Sequence, residues 1–359
     1  MAGALEEKII KESDKFFCEN GNYKVANRVI HEANRKRHGV LAVPDILKYS
    51  SNIGAAKIAQ KMGKEKFHDY IERFGFGAKT GIDLPGESAG LVRPVKNWVP
   101  VDTAMIGFGQ GVSVTAIQLI AAVSAIANNG VLMKPYVVRG FADKNNNLIK
   151  LYTPTVVRKV ISPDVAKRLT NMLTEVVGAP DGTGKNARIV NVAVAGKTGT
   201  SQKFDFTRGV YSSEKVRTSF MGFFPADNPQ VAILVILDEP QRDKWGGVAA
   251  APVFKNIGEQ ILNCFKTNIR ETPVFEKDPN KVQLVSAQQT LIPQNAAGDD
   301  EATMPDFSGL TIREAMKKAK AESIELKISG NGWAVRQYPQ VHAPFGDERV
   351  CNVVFELSN

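Results

Sequence analysis

Two short motifs in the sequence carry side chains that suit acyl-transfer chemistry. The first, Lys197-Thr198-Gly199-Thr200, combines a fixed positive charge with two hydroxyls. The ammonium can orient an anionic substrate and the hydroxyls can hold its carboxylate. Gly199 lets a substrate backbone approach closely, and the backbone N–H after it suits an oxyanion hole. Taken alone, the tetrapeptide is more typical of a solvated turn at the end of a strand.

The second motif is Ser50-Ser51-Asn52. Ser50 can relay a proton, and Asn52 can donate and accept hydrogen bonds at once. Alone, the triplet is more typical of helix capping. Together with the first motif it is more specific, because active-site serine acyltransferases use Ser-x-x-Lys, Ser-x-Asn and Lys-Thr-Gly in that chain order.

The nucleophile motif of that set does not occur in its place. The single Ser-x-x-Lys of the sequence is Ser212-Ser213-Glu214-Lys215, which follows the Lys-Thr-Gly motif. Because its order is wrong, we interpret it as a solvated loop before the next strand.

The elements around the motifs predict where each one lies. Residues 1–40 are polar and irregular, and we expect regular structure to begin at Val43. Helices are predicted for residues 43–47, 53–62 and 64–73, the second of them stopped by Gly63. Ser50 therefore lies at a helix junction, where polar side chains are accessible.

Strands are predicted around the Lys-Thr-Gly motif. Residues 191–199 alternate small and apolar side chains and bring Lys197 to the end of a strand, and residues 218–224 and 231–237 follow as two more strands. Helices precede and follow them, at residues 116–129 behind a capping box and at residues 251–265. This order predicts a layered α+β fold.

The C-terminal part differs in character. Residues 266–302 contain several prolines and an acidic run, which is typical of a linker. Residues 303–359 then read as a compact unit, with a helix behind the capping box of Thr311 and Glu314 and strands at residues 324–328 and 353–357. We therefore predict a domain over residues 1–265, a linker over 266–302 and a small α+β domain over 303–359.

Composition narrows the function classes. The chain has 359 residues and a net charge of +9, which fits a well-mixed basic surface or attraction to an anionic polymer. Nucleic-acid binding is disfavoured, because no basic helix with interleaved aromatics and no zinc-finger spacing occurs. The three cysteines are far apart and in no metal-ligand spacing. One disulfide is possible, buried free thiols are favoured, and we expect no metal and no cofactor. No apolar run reaches membrane-spanning length, and residues 1–8 are not a signal peptide.

Flanking segments extend the match to one family. The chain resembles a class B penicillin-binding protein, of the division-type peptidoglycan D,D-transpeptidases, over about residues 3–265, and residues 305–357 resemble a PASTA domain. The segments that carry the resemblance, besides the two motifs, are Val43-Pro44-Asp45-Ile46-Leu47, Gly109-Gln110-Gly111, Val114-Thr115, Ala195-Gly196-Lys197 and Ser219-Phe220-Met221-Gly222-Phe223-Phe224-Pro225.

The resemblance implies a serine acyl-enzyme mechanism on peptidoglycan stem peptides that end in D-Ala-D-Ala, with β-lactams as mimics. It assigns catalytic roles to Ser50, Asn52 and Lys197 and substrate binding to Thr198, Gly199 and Thr200. The nucleophile is expected upstream of Met1, with residues 4–7 continuing its helix, so this chain is expected to be inactive alone.

The same resemblance has consequences for fold and location. It implies a partial transpeptidase fold, an antiparallel sheet with helices on its faces, with one interior sheet edge exposed in this chain. It also implies divisome partners and the periplasmic or extracytoplasmic face of the membrane, through an anchor that this chain does not contain.

Two alternatives stay open. One is another enzyme of the superfamily, a D,D-carboxypeptidase or a β-lactamase, although no loop carboxylate with a companion asparagine suggests a deacylating base. The other is a non-catalytic module that binds peptidoglycan or a divisome protein through residues 303–359, where Trp333 and Arg336 are plausible contacts.

Overall fold

The structure of the chain is a computed structural model. It describes residues 1–144, 148–205, 210–264, 304–322, 324–330, 332–339, 341 and 350–356. The chain divides into two units, Met1–Lys277 and Asp278–Asn359, each with a hydrophobic core of its own. The predicted linker over residues 266–302 lies outside the described residues. Within the part that is described, no helix has the length and apolarity that crossing a membrane requires.

The first unit mixes helices with antiparallel strands. Its helices are α1 (Ala2–Glu6), α2 (Val43–Tyr49), α3 (Asn52–Met62), α4 (Lys64–Arg73), α5 (Asp102–Gly107), α6 (Ala116–Ala127), α7 (Pro163–Gly178) and α8 (Gly246–Cys264). Its strands are β1 (Lys15–Phe17), β2 (Asn22–Val25), β3 (Arg28–His31), β4 (Val40–Ala42), β5 (Val131–Met133), β6 (Gly140–Ala142), β7 (Leu148–Leu151), β8 (Val156–Lys159), β9 (Ala195–Asp205), β10 (Val210–Phe224) and β11 (Val231–Asp238).

A three-stranded antiparallel sheet in the order β11-β10-β9 forms the centre of this unit. Alternate side chains of β10 point to opposite faces. On one face Phe220 and Phe224 pack against Phe254 of α8. On the other, Phe223 is buried with Val123 of α6 and Leu173 of α7. Helices thus cover both faces, and the predicted α+β class with an antiparallel sheet is confirmed.

The predicted helix junction at the second motif is confirmed. α2 ends at Tyr49 and α3 begins at Asn52, with Ser50 as the C-cap of α2 in the left-handed conformation (φ 57°). Ser51 is the N-cap of α3, and its side chain accepts a hydrogen bond from the backbone N–H of Gly54 at 3.0 Å. Such a cap satisfies one of the amides that the first turn leaves unpaired.

The expectation that regular structure begins at Val43 is wrong. Helix α1 and strands β1 to β4 precede it, with Ala4 and Leu5 of α1 buried in the core. β1 pairs with β4, and β2 with β3. These strands have only three or four residues, too few for an alternating pattern to stand out. The helix expected at residues 4–7 is present, at Ala2–Glu6.

Two strand boundaries also differ from prediction. β9 begins at Ala195 and continues to Asp205, so Lys197 lies near the start of a strand rather than at its end. β10 begins at Val210, so residues 212–215 belong to a strand and not to a loop. The additional residues of β9 and β10 are mostly polar, so the sequence gives no alternating apolar pattern that would predict the longer strands. The pairing of β9 with β10 stabilises them, together with Lys203, whose Nζ lies 3.0 Å from Asp238 and 2.6 Å from Glu239. α8 likewise begins at Gly246 and not at residue 251.

The second unit contains α9 (Ile312–Ala321), β12 (Glu325–Gly330), β13 (Trp333–Tyr338) and β14 (Val350–Glu356). The strand order is β12-β14-β13, with β12 parallel and β13 antiparallel to β14. The predicted helix, its Thr311–Glu314 capping box and two of the strands are confirmed. The third strand, β13, is missing from the prediction; a register shift between Ala334 and Arg336 interrupts its ladder. The PASTA-like assignment stays a prediction.

Candidate active site

The structure brings the two sequence motifs together. The Nζ atom of Lys197 lies 2.7 Å from the Oγ atom of Ser50 and 3.0 Å from the carbonyl oxygen of Thr198. Lys197 comes from β9 and Ser50 from the corner between α2 and α3. Burial lowers the pKa of Lys197 from 10.5 to about 8, because a partly desolvated ammonium is disfavoured. A lysine with this pKa exchanges a proton with a hydroxyl more readily than a solvated one.

The rest of the serine motif is held by the end of β3. The buried Glu32 carboxylate accepts hydrogen bonds from the Ser51 hydroxyl at 2.5 Å and from the backbone N–H of Asn52 at 2.7 Å. The side-chain amide of Asn52 donates to the carbonyl oxygen of His31 at 2.8 Å. These bonds fix the backbone on the C-terminal side of Ser50. They also leave the Oδ1 atom of Asn52 without a donor among the described residues, so that it can accept one from a ligand.

Thr198 and Thr200 lie on the other face of β9 from Lys197, the face that α8 covers. The hydroxyl of Thr198 lies 3.5 Å from that of Thr183, which donates to the carbonyl oxygen of Lys48 at 2.8 Å. The hydroxyl of Thr200 accepts a hydrogen bond from the N–H of Gly246 at 3.2 Å. Its own proton therefore stays available for an acceptor such as a carboxylate.

The backbone at the N-terminus of α8 lies so close to the backbone of β9 that no side chain fits between them. A Cβ atom at Gly246 would lie 2.4 Å from the carbonyl oxygen of Ser219 and 2.6 Å from that of Gly199. One at Gly247 would lie 2.2 Å from the carbonyl oxygen of Thr183. A helix N-terminus carries partial positive charge. The two glycines thus place that charge beside the hydroxyls of Thr198 and Thr200.

The packing around Gly199 explains why a glycine stands at this position, and this reason differs from the expected close approach of a substrate backbone. A Cβ atom here would lie 2.5 Å from the Oγ atom of Ser219, its partner on β10. The glycine makes room for the neighbouring strand.

A polar group ties α2 to the loop that contains Thr183. The Tyr49 hydroxyl donates to Asp181 at 2.5 Å, and Lys48 lies 3.1 Å from Asp45 and 3.5 Å from Asp181. The hydrogen bond from Tyr49 lowers the pKa of Asp181. Hydrogen bonding with Tyr49 and with Asp45 raises the pKa of Lys48. The loop before β9 is thereby fixed against the residues that precede Ser50.

Three residues of this arrangement are absent from the sequence prediction. Glu32 lies in a stretch interpreted as irregular, and no motif marks it. Gly246 lies outside the predicted limits of its helix. Thr183 stands between two glycines, a turn signal that could have pointed to a loop beside the motif.

Ser212 does not approach this group. Lys197 pairs with Met221 on β10. At about 3.3 Å of rise per residue, Ser212 lies roughly 25–30 Å from Met221 along the strand. The only Ser-x-x-Lys of the sequence therefore takes no part in the arrangement around Ser50.

Comparison with known proteins gives one consistent result. The family model described as "Penicillin binding protein transpeptidase domain" matches residues 1–259. Stage V sporulation protein D of Bacillus subtilis is 39% identical over 279 residues, which are 77% of this chain and 43% of that protein. Penicillin-binding protein PbpB of Mycobacterium tuberculosis is 32% identical over 295 residues, 80% of this chain and 42% of that protein. The chain thus spans about two fifths of the length of these relatives.

Solved structures agree with this result. The apo transpeptidase domain of penicillin-binding protein 3 from Burkholderia pseudomallei superimposes with a TM-score of 0.67 at 32% identity, covering 76% of this chain and 78% of that one. Penicillin-binding protein 3 of Mycobacterium tuberculosis, solved in complex with ampicillin, gives a TM-score of 0.69 at 30% identity, covering 76% and 62%.

Proposed function

The chain belongs to the penicillin-binding protein transpeptidase family, in its class B branch, and from that premise we propose that the protein is a peptidoglycan D,D-transpeptidase. It would cross-link stem peptides during cell wall synthesis and division and bind β-lactams as mimics of the D-Ala-D-Ala end. The observation that carries the proposal is the 2.7 Å contact between Lys197 and Ser50 at the edge of β9. In a single chain, it unites two of the motifs that such acyl transfer requires.

The proposed chemistry is a two-step acyl transfer. A serine hydroxyl attacks the penultimate D-Ala carbonyl, the peptide C–N bond breaks, and the terminal D-Ala leaves with a proton on its amine. An amine of a neighbouring stem then takes the acyl group and restores the serine. Ser50 would deliver the proton to the leaving amine and regain one from Lys197. The proton that the attacking serine hydroxyl releases would restore the ammonium of Lys197. Asn52 would accept a hydrogen bond from the peptide amide through its Oδ1 atom.

The terminal carboxylate of the substrate would bind at the other side of the β9 edge. Thr198 and Thr200 would donate to it, beside the N-terminus of α8 at Gly246. Gly199 would leave the strand edge open to the substrate backbone. Because the sequence has Ser-x-x-Lys only at Ser212, we propose that this chain binds the peptide without forming an acyl-enzyme.

Location and partners follow from the same proposal. The catalytic unit would work on the extracytoplasmic face of the membrane, with divisome proteins as partners. Residues 303–359 would form a PASTA-like domain; the exposed side chain of Trp333 on β13 supports contact with cell wall through this unit. A pull-down on isolated cell wall, with and without residues 303–359, tests that contact.

Noncovalent binding tests the function of the first unit. Titration of the isotope-labelled chain with diacetyl-Lys-D-Ala-D-Ala should shift the resonances of β9 and of the Ser50 corner. The same peptide ending in L-Ala-L-Ala or in a C-terminal amide should bind more weakly. The Thr200→Val variant should lose the distinction between free carboxylate and amide. Equal binding of all three peptides would contradict the proposal.

A further inference from the structure

The loop between β3 and β4 is anchored on both sides of Ser50. At its start, the Glu32 carboxylate accepts hydrogen bonds from the Ser51 hydroxyl at 2.5 Å and from the backbone N–H of Asn52 at 2.7 Å. At its end, the ring of His38 stacks on that of Tyr49, with centroids 5.5 Å apart and an interplanar angle of 17°. Residues 33–37, here called the basic loop, therefore pass beside the proposed site with both ends fixed to the neighbours of Ser50.

Backbone hydrogen bonds within the basic loop fix its conformation. The N–H of Arg35 donates to the Glu32 carbonyl and that of Lys36 to the Ala33 carbonyl, each at 3.2 Å. Asn34 and Arg35 both adopt the left-handed conformation, with φ of 56° and 52°. That conformation costs free energy for an arginine, and it persists where the surroundings impose it. The direction of the exposed side chains is therefore set by the fold.

Those side chains are three consecutive cations. Arg35, Lys36 and Arg37 are all exposed, and among the described residues no carboxylate forms an ion pair with any of them. The acid nearest in sequence, Glu32, is buried and already bonded to Ser51 and Asn52. Three adjacent like charges repel one another and raise the local affinity for an anion.

We propose that the basic loop is a subsite for the side-chain carboxylates of the peptide that the Ser50 site binds, an inference that rests on the proposed function. Arginine forks match carboxylates with two parallel hydrogen bonds, which suits Arg35 and Arg37 to this ligand. The subsite is distinct from the place proposed for the terminal carboxylate, at Thr198 and Thr200. Because the loop shares its anchors with Ser50, it contacts the same short peptide. The specificity that results is for acidic stem peptides over neutral ones.

Two matched peptides test the subsite. Both end in D-Ala-D-Ala, and one carries two glutamate side chains where the other carries two glutamines. Calorimetry on the full chain should give about tenfold tighter binding of the acidic peptide at low salt. That preference should shrink at high ionic strength, because screening weakens exposed pairs.

The charge variants provide the control. R35Q/K36Q/R37Q should lose the preference for the acidic peptide and keep its affinity for the neutral one. The matched variant K96Q/K144Q/K167Q removes the same net charge from exposed positions elsewhere and should keep the preference. Thermal unfolding confirms that both variants remain folded.

Each other outcome has a definite meaning. Wild type without a preference, or a basic-loop variant that retains it, overturns the subsite and leaves the proposed function intact. Failure of both peptides to bind overturns the proposed function and this inference together. Inorganic polyphosphate that binds wild type as tightly as the acidic peptide and displaces it would assign the loop to anionic polymers instead.

Discussion

Lys197 and Ser50 are 147 positions apart in the chain, and the Nζ atom of one lies 2.7 Å from the hydroxyl oxygen of the other. One residue is held by the central sheet and the other by the corner between two helices. The hydrogen bond therefore forms only when the sheet and the helical layer are packed as they are here, and its integrity reports on the whole unit.

Lys197 should control how peptide binding depends on pH. Its pKa of about 8 lies below the usual 10.5, so the ammonium loses its charge as the pH rises through that value. Affinity for a peptide with a free terminal carboxylate should fall about fivefold from about pH 7 to about pH 9, because the ammonium on the opposite face of β9 no longer attracts the bound carboxylate. Calorimetry measures this. The Lys197→Met variant should bind weakly at every pH, and a flat wild-type profile would contradict the role.

Glu32 should stabilise the serine corner. Glu32→Gln keeps the shape of the side chain but removes the charge from two hydrogen bonds, and it should lower the free energy of unfolding by about 1.5–3 kcal/mol. Urea titration measures the loss, and exposed Glu175→Gln is the control, expected to change it by less than about 0.5 kcal/mol. The pKa of Lys197 should also change, because Ser50 loses its fixed position. An unchanged pKa would mean that Glu32 has a structural role only.

Gly246 should not tolerate a side chain. In Gly246→Ala the new methyl would meet backbone oxygens at 2.4 and 2.6 Å, which forces α8 away from β9. We expect a loss of about 2–4 kcal/mol in unfolding free energy and weaker discrimination between a terminal carboxylate and an amide. Gly178→Ala, where no atom lies within 4 Å of the added Cβ, is the matched control and should be neutral or stabilising. A Gly246→Ala variant as stable as wild type would refute the close approach.

Intact mass after incubation with benzylpenicillin should show no adduct. Ser212, the serine of the only Ser-x-x-Lys, lies far along β10 from Lys197, and our proposal assigns Ser50 to proton relay rather than to nucleophilic attack. A stoichiometric adduct would contradict this account. In that case Ser212→Ala and Ser50→Ala would identify the serine that reacted.

The outer edge of β11 should promote self-association. Among the described residues β11 pairs with β10 alone, and an unpaired strand edge can pair with another chain. Ile236 on this strand is 41% exposed, and Ile236→Lys should raise the concentration at which light scattering first increases. Val190→Lys, at a position 73% exposed outside the strands, is the control. If both variants scatter alike, the edge is not responsible.

What the sequence predicts well is what local chemistry decides. The corner at Ser50 follows from Pro44 at the start of one helix and the Ser51 cap at the start of the next, and the Thr115 box marks α6 just as clearly. Each signal acts within four residues, so no knowledge of the fold is needed to see it.

What it predicts poorly depends on partners distant in sequence. The short strands β1 and β4 form because they pair with each other. Glu32 has its role because its carboxylate accepts a hydrogen bond from Ser51, which lies 19 positions later in the chain. The extension of β9 through polar residues depends on the ladder with β10 and on Lys203. The family motifs locate Lys197, yet its strand position and the face that Thr198 occupies are set by tertiary packing.

The left-handed residue between α2 and α3 has a mechanical consequence. Ser50 stands where the axes of two helices meet, with α3 extending about 16 Å away from it. When one of two helices that share a corner tilts about that corner, the residue at the corner moves least. Bending at the far end of α3, near Met62, therefore leaves the hydroxyl of Ser50 almost stationary. The position that we propose for proton transfer is thus the part of the corner that moves least when either helix bends.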